Sequence, residues 1–331
     1  MTDWNAWFSR LRLGLWTDTD YYLAPTRGRQ RPPLKSTDIA WLPFHGQHIF
    51  IAGETDYGKS VTERVILHEL KPGIQANTVE VIGIDAQRGV ELQPAWKGGY
   101  LKEFHWGKDS GLKTPEWPHG KPYELTFAEA LERHVDIMYE RTDEMKLLGI
   151  NEWIIGPGDK AARVILIDEA GQMFRKNVPT AIKNRVIGAI DTLTYQSRKC
   201  GYVVVACTQL ANIDAIPVRH GLNFGVAHRM QNPLGYYQVT RNSMDMAPLP
   251  RGVPGLAYMS GRGKRILRTQ FKDRLEPLYR QEPVVVSDTR MPTDVADPYE
   301  QYQPALYDAG TIVGELEPPE SVEYEWMSEY R

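Results

Sequence analysis

The sequence is poor in cysteine and lacks long apolar runs. Cys200 and Cys207 are the only cysteines in 331 residues, too few for a disulfide framework or a four-sulfur zinc site. No stretch approaches the ~20 apolar residues that a membrane-spanning helix needs, and the N-terminus lacks the apolar core of a signal peptide. We therefore expect a cytoplasmic protein with no membrane span of its own.

Charge is unevenly distributed along the chain, although the formal net charge is only -3. Residues 287–331 contain 11 of the 42 acidic side chains but 2 of the 39 basic ones, so the rest of the chain is mildly basic. A basic body suits a polyanionic partner, whereas an acidic, proline-containing end is typical of a partly disordered tail.

Short apolar runs alternate with longer helical patterns from about residue 48. Each apolar run has the length and the β-branched or aromatic composition of a strand. This alternation predicts an α/β fold with a doubly wound, mostly parallel sheet, whose ligands bind at the carboxyl ends of the strands. The predicted strands are 48–52, 78–85, 163–168, 202–209 and 223–230, and the predicted helices are 59–70, 126–148 and 180–199.

Composition divides the chain into three parts. We expect an N-terminal leader and linker at 1–46, an α/β domain at 47–272 and an acidic, partly disordered tail at 273–331. The leader contains a basic, proline-rich stretch at 26–35 that cannot form the interior of a helix. Residues 94–122 are rich in Gly, Pro, Trp and Lys and predict an irregular insertion, either a surface loop or a contact with nucleic acid or another subunit.

A glycine-rich loop follows the first predicted strand of the domain. Its sequence, GETDYGKS, fits the pattern G-x-x-x-x-G-K-[ST], in which backbone N–H groups and a helix N-terminus bind nucleotide phosphates. We expect Lys59 to reach the β and γ phosphates of ATP and Ser60 to bind Mg²⁺. The alternative is a chance Gly-Lys-Ser turn. The predicted nucleotide-binding residues are Gly53, Glu54, Thr55, Asp56, Tyr57, Gly58, Lys59, Ser60 and Val61.

Polar side chains follow two other predicted strands. The run RVILID ends in Asp168, with Glu169 next to it, and the run YVVVACT is followed by Gln209. We expect Asp168 to hold the Mg²⁺ shell, Glu169 to polarise the attacking water and Gln209 to hydrogen-bond that water or the γ phosphate. Solvated polar caps are the alternative for each of these positions.

Together, these motifs resemble those of the FtsK/SpoIIIE-type DNA-pumping ATPases over about residues 38–271. The matching segments, in the family's order, are IFIAGETDYGKSV, IGIDAQRGVEL, VILIDEAGQMF, SRKCGYVVVACTQ, NFGVAHRM and GVPGLAYMSGRGKRILRTQF. The resemblance implies a RecA-like P-loop NTPase core that ends in a closing β-hairpin. It also implies a homohexameric ring that threads double-stranded DNA and hydrolyses ATP at its subunit interfaces.

Hydrolysis at an interface needs a cation that one subunit presents to the γ phosphate bound by its neighbour. Arg198 and Arg229 are the first candidates and Arg241 is a weaker one, although each could be an ordinary surface arginine. The basic side chains at 261–265, in the predicted hairpin turn, could contact DNA phosphates without reading sequence, or could simply be solvated.

Two carboxylates in the loop, those of Glu54 and Asp56, oppose the charge of a bound nucleotide. At surface-like dielectric each would cost on the order of 1 kcal/mol. We therefore hypothesise that the loop binds nucleotide weakly until the ring closes and an arginine of the neighbouring subunit pairs with these acids.

These expectations favour an ATP-driven translocase of double-stranded DNA that acts in plasmid or integrative-element transfer, with a membrane protein or a relaxosome-like protein as a further partner. The alternative is a nucleotide-binding assembly or switch protein that keeps the fold but hydrolyses ATP slowly. The acidic loop and the small net charge favour this alternative.

Overall fold

The computed structural model describes residues 3–17, 39–87, 89–108, 111–113, 124–209, 216–251 and 253–269. The predicted acidic tail and the proline-rich stretch at 26–35 lie outside these residues. Within them, no helix is long and apolar enough to cross a membrane.

Twelve strands of the described residues form one mixed sheet, in the spatial order β2-β1-β12-β11-β10-β3-β9-β8-β4-β5-β6-β7. The strands are β1 (Arg10–Trp16), β2 (Ile39–Pro43), β3 (Ile49–Ala52), β4 (Val79–Asp85), β5 (Glu103–Lys108), β6 (Gly111–Lys113), β7 (Glu124–Thr126), β8 (Ala162–Asp168), β9 (Tyr202–Thr208), β10 (Phe224–Ala227), β11 (Leu256–Met259) and β12 (Ile266–Thr269).

Helices connect the strands of this sheet. They are α1 (Trp4–Phe8), α2 (Lys59–Gln75), α3 (Gln93–Lys97), α4 (Phe127–Leu148), α5 (Thr180–Gln196) and α6 (Pro233–Thr240), with 3₁₀ turns at Gly158–Lys160, Ala170–Phe174 and Pro217–His220. The longest, α4, starts at a capping box between Thr126 and Glu129 and ends at Gly149 in the left-handed conformation, as local sequence signals predict.

The centre of the sheet is parallel, in the order β10-β3-β9-β8-β4-β5. All seven residues of β9 are buried, which is typical of a parallel strand covered on both faces. The register places Ala52 opposite Thr208 and Asp85 opposite Asp168, so the carboxyl ends of β3, β9, β8 and β4 share one edge. The predicted α/β class with a doubly wound, mostly parallel sheet is confirmed.

The closing hairpin predicted at 252–271 is present as β11 and β12, which pair antiparallel beside β10. Residues 1–46 were expected to form a leader and linker. In the structure, β1 and β2 of this segment extend the same sheet beyond β12. Gly14 explains the close approach of β1, since a Cβ there would lie 2.1 Å from the carbonyl oxygen of Arg268. Residues 10–16 and 39–43 therefore belong to the sheet of the α/β domain.

The segment 94–122, expected to be an irregular insertion, also contains regular structure. Strand β5 adds a parallel strand beside β4, and β6 follows antiparallel to it. Phe104 of β5 packs against Trp96 and stacks on Trp106, with ring centroids 6.2 and 5.5 Å apart. Trp96, Phe104 and Trp106 thus pack against one another beside β4, while 114–122 lies outside the described residues.

Candidate nucleotide-binding site

The glycine-rich loop lies between the carboxyl end of β3 and the start of α2. Gly58 has a φ of 111° and Asp56 a φ of 64°, so the loop passes twice through the left-handed region. A Cβ on Gly53 would lie 2.5 Å from Cβ of His228, and one on Gly58 would lie 2.8 Å from the backbone nitrogen of Gly255. The two glycines of the motif are therefore required by close packing under the loop as well as by the turn.

Helix α2 starts at Lys59 with Gly58 as its N-cap, and no side chain of the described residues caps it. Its first turn therefore carries backbone N–H groups without the usual side-chain acceptor, which is the arrangement that favours an anion. Ser60 and Val61 are half-buried in this turn, and Thr55 is exposed at the tip of the loop. The loop and the helix start together fit a polyphosphate group.

Lys59 lies between the loop and the strand ends. Its Nζ donates a hydrogen bond to the backbone carbonyl of Glu54 at 2.9 Å. Its charge also acts to lower the pKa of Glu169, which places the ammonium group near that carboxylate. The motif lysine and the acidic strand end are thus brought to one site.

Glu169 follows β8 directly and adopts a left-handed φ of 47°. Such a conformation is strained for a residue other than glycine. Its Oε1 accepts hydrogen bonds from the backbone N–H of Gln209 at 3.3 Å and from the hydroxyl of Thr208 at 3.5 Å. Burial raises the pKa of Glu169, and the Gln209 N–H and Lys59 act against that rise. Gln209 thus contacts Glu169 through its backbone, whereas the sequence directed attention to its side-chain amide.

Asp168, the last residue of β8, lies within a group of buried acids. Burial raises its pKa to about 7, and the charges of Asp85 and Glu169 add to the rise. Glu63 of α2 forms a side-chain hydrogen bond with Asp168 that acts in the opposite direction. Burial raises the pKa of Glu63 well above its usual value, so we infer that Glu63 is neutral and donates its proton to Asp168.

Sequence reasoning missed Glu63. The signal was present, because Glu63 lies four residues after Lys59 and so shares its face of α2.

Sequence reasoning also missed His228, which packs beneath the loop. Its Nδ1 donates to the carbonyl of Leu256 at 3.0 Å, so Nε2 accepts the hydroxyl of Thr62 at 2.8 Å. Burial lowers the pKa of His228 to about 4, which agrees with this neutral form.

The three candidate arginines lie in different places. Arg229, just after β10, pairs with the carboxylate of Glu54 in the same chain. Arg198 precedes β9 at the opposite edge of the sheet, where its charge adds to burial in lowering the pKa of His48 to about 3. Arg241 follows α6 and lines a cavity of about 450 Å³ that also includes Asn223, just before β10. Only Arg229, of these three, lies at the loop.

A further cation near the site is Arg175, which sequence reasoning also missed. It follows the 3₁₀ turn Ala170–Phe174, is exposed, and acts to lower the pKa of Glu169. Within the described residues, no group of three or more His, Cys, Asp or Glu side chains could hold a metal ion by itself. Mg²⁺ in nucleotide sites is usually held by one or two protein groups together with phosphates and water, which Ser60 and Asp168 could supply.

Comparison with protein-family models gave no match, and no curated protein matched the sequence. Solved structures did match. The pCW3 conjugation coupling protein TcpA, in a monomer form with ATPγS, is 17% identical with a TM-score of 0.55, over 80% of this chain and 73% of that chain.

Two secretion ATPases have similar structures. The cytoplasmic domain of the Thermomonospora curvata type VII secretion ATPase EccC is 14% identical with a TM-score of 0.59, over 86% of this chain and 32% of that chain. ATPases 2 and 3 of EssC from Geobacillus thermodenitrificans are 12% identical with a TM-score of 0.55, over 87% of this chain and 53% of that chain. The chain therefore spans about half of the solved EssC chain, which comprises ATPases 2 and 3, and about a third of the EccC cytoplasmic domain.

These likenesses concern the fold, since all three identities are low. They agree with the resemblance that the sequence motifs indicated. The chain has the fold of the FtsK/SpoIIIE-type P-loop ATPases.

Proposed function

We propose that the protein binds ATP with Mg²⁺ at the carboxyl edge of its sheet and hydrolyses it. The observation that carries this proposal is the meeting of Lys59 with the buried Asp168–Glu169 pair at one edge, beside an uncapped helix start. The chain's fold and the ATPγS in the TcpA structure support nucleotide binding.

Each residue of the site has a distinct task in this proposal. Lys59 and the N–H groups of the loop bind phosphate oxygens, while Ser60 and Asp168 hold the cation. Bound Mg²⁺ would neutralise phosphate charge during the reaction. Glu169 takes a proton from the attacking water, and the Gln209 N–H and the Thr208 hydroxyl fix the carboxylate in place.

We further propose that hydrolysis drives translocation of double-stranded DNA by a homohexameric ring in the cytoplasm, during transfer of a plasmid or integrative element. The TcpA likeness supports this, because that protein is a conjugation coupling protein. The hairpin turn at 261–265 is exposed and carries three basic residues, which suits contacts with backbone phosphates. A membrane protein or relaxosome-like protein would be a further partner, and Arg198 or Arg241 would act on the neighbouring subunit's site.

A nucleotide-dependent switch with slow hydrolysis is the second candidate. It is favoured by an acid of the site, because burial raises the pKa of Asp168 to about 7. An ionised Asp168 is needed to hold a cation, so this burial weakens cation binding in the free subunit.

The rate of ATP hydrolysis, measured with and without duplex DNA, separates the two candidates. We expect duplex DNA to stimulate the rate severalfold in the wild-type protein. Glu169→Gln should lower the rate at least a hundredfold while ATP still binds, because amide and carboxylate have similar shapes. Glu144→Gln, at an exposed site on α4, is the matched control and should hydrolyse ATP as the wild type does.

The absence of any stimulation by DNA, with ATP still bound, would favour the switch over the motor. Electron microscopy of the protein with ATPγS and duplex DNA tests the assembly separately. A ring around the duplex is the expected image, and single subunits at every concentration of protein and DNA would contradict it.

A further inference from the structure

The acidic residue of the phosphate loop already has a cationic partner in its own chain. The guanidinium group of Arg229 pairs with the carboxylate of Glu54. The two side chains are 11% and 24% exposed, so this contact is largely shielded from solvent. The guanidinium carbon also lies 4.9 Å from the ring centroid of Tyr57, within the usual range of a cation–π contact. Arg229 is therefore held between two side chains of the loop.

Main-chain hydrogen bonds also hold together the segments that carry Arg229 and Glu54. The N–H of Glu54 donates to the carbonyl of Arg229 at 2.9 Å, and the N–H of His228 donates to the carbonyl of Ala52 at 2.8 Å. Gly255 donates to the carbonyl of Tyr57 at 3.0 Å. Because main-chain bonds hold both partners in register, Arg229 could reach a neighbouring subunit only after its contacts with this loop are broken.

The two acids of the loop differ in their need for a partner. Asp56 is exposed at the tip of the turn, where water can solvate its charge. Glu54 is half-buried, and its Oε1 is buried with no hydrogen-bond partner among the described residues. Its carboxylate lies in the loop where phosphates would bind, so without Arg229 an unbalanced negative charge would repel them.

We propose that Arg229 is a positioning residue of the nucleotide site in cis, which neutralises Glu54 and holds Tyr57 so that the loop admits a triphosphate. This inference rests on the proposed function, because it concerns the affinity of the same site. It changes the expectation from the sequence, in which a neighbouring subunit's arginine would pair with the acids of the loop. The loop is then charge-balanced at Glu54 in a single subunit, before any ring forms.

Charge balance predicts a specific pattern of nucleotide affinity. Arg229→Gln leaves the carboxylate of Glu54 unpaired and should weaken binding of a fluorescent ATP analogue at least tenfold. Glu54→Gln removes that carboxylate and frees a positive charge, so it should tighten binding about threefold. The double variant, with neither charge, should bind within about threefold of the wild type. Support of the loop by shape alone would not produce this recovery.

The experiment is a titration of the full chain with the fluorescent ATP analogue and Mg²⁺, accompanied by thermal unfolding without nucleotide. Arg229→Lys keeps the charge and should bind within about threefold of the wild type. Arg185→Gln, at an exposed arginine of α5 that pairs with Glu132, is the matched control and should leave the affinity unchanged.

Three results would overturn the inference: Arg229→Gln binds as tightly as the wild type, the double variant stays as weak as Arg229→Gln, or Glu54→Gln fails to tighten binding. If Arg229→Gln does not fold, the Glu54→Gln and Arg229→Lys titrations decide the question. Failure of the proposed function is distinct, because the wild-type protein itself would then not bind the analogue.

Discussion

The central parallel strands carry polar side chains at both of their ends, and the two edges use them differently. At the carboxyl-end edge, acids are buried together, and Oε1 of Glu54 and Oε1 of Glu63 are buried without hydrogen-bond partners among the described residues. Burial raises the pKa of Asp168, Glu169 and Glu63 there. Burial at this edge therefore disfavours the ionised forms of these three acids.

At the amino-end edge, the side chains of Asn223, Ser260 and Asn242 have hydrogen-bond partners and connect neighbouring segments. Asn223 accepts the N–H of His48 at 2.8 Å. Ser260, after β11, accepts the N–H of Gly225 at 2.8 Å and donates to the carbonyl of Thr240 at 2.9 Å. Asn242 accepts the N–H of Gly261 at 2.8 Å and donates to the carbonyl of Met259 at 2.9 Å.

The two edges therefore have different roles: the carboxyl-end edge serves ligand binding, and the amino-end edge stabilises the fold. Polar groups that satisfy one another stabilise the fold, whereas like charges held together cost stability unless a ligand neutralises them. Substitutions at the carboxyl-end edge should therefore change ligand binding and leave or increase stability, and substitutions at the amino-end edge should do the reverse.

The largest expected effect is on nucleotide affinity at the carboxyl-end edge. Lys59→Ala removes the ammonium group that contacts the loop and should weaken binding of ATPγS with Mg²⁺ about a thousandfold, or about 4 kcal/mol. Lys199→Ala, at an exposed lysine just before β9, is the matched control and should leave affinity unchanged. Calorimetric titration measures the nucleotide affinity of both variants. Equal losses of affinity would show that the carboxyl-end edge is not the one that binds nucleotide.

A smaller effect concerns stability and pH. Burial raises the pKa of Asp168 from the usual 3.8 to about 7, so its ionised form is less favourable in the folded protein than in the unfolded chain. This cost is absent below pH 3.8, increases as the pH rises toward 7 and is complete above it. Asp168→Asn should therefore raise the free energy of unfolding at pH 8 by at most about 4 kcal/mol, the full effect of this shift.

The gain from Asp168→Asn should vanish at pH 4, where the carboxyl group of the wild type is neutral in the folded state. Urea denaturation of both proteins at the two pH values, without nucleotide, measures it. A variant that is less stable than the wild type at pH 8 would show that Asp168 contributes to the fold as the amino-edge residues do.

The smallest expected effect lies at the amino-end edge. Ser260→Ala leaves the N–H of Gly225 and the carbonyl of Thr240 without this partner and should lower the free energy of unfolding by about 2 kcal/mol. Nucleotide affinity should not change. Denaturation in urea measures the predicted loss of stability, and a nucleotide titration measures the affinity. A loss of affinity without a loss of stability would show that Ser260 serves nucleotide binding and not the fold.

The parallel centre of the sheet could be predicted because its signals are local. Strands β3, β8 and β9 are buried apolar runs of strand length, and Gly53, Glu169 and Gln209 follow them directly. The roles of β1 and β2 could not be predicted in the same way. Strand β1 pairs with β12 and so joins the two ends of the described chain, and β2 pairs with β1. Only the alternation of Leu11, Leu13 and Leu15 indicates a strand in this part of the sequence.

Within the site, the loop and the carboxylates could be predicted, but their contacts could not. Glu63 meets Asp168 because α2 packs against β4, which pairs with β8, and Arg229 meets Glu54 because β10 lies next to β3. Both contacts depend on the order of strands in space. No pattern in the sequence near Arg229 distinguishes an arginine that acts in its own subunit from one that acts on a neighbour.

A structure of the protein determined with ATPγS and Mg²⁺ tests the central claim most directly. We expect the triphosphate to lie between the loop at 53–58 and the end of β8, with Lys59 bound to its phosphate oxygens. Ser60 and Asp168 should coordinate the cation, and Glu169 should face the γ phosphate. A nucleotide bound elsewhere, or none bound at saturating concentration, would contradict the assignment of the carboxyl-end edge as an ATP site.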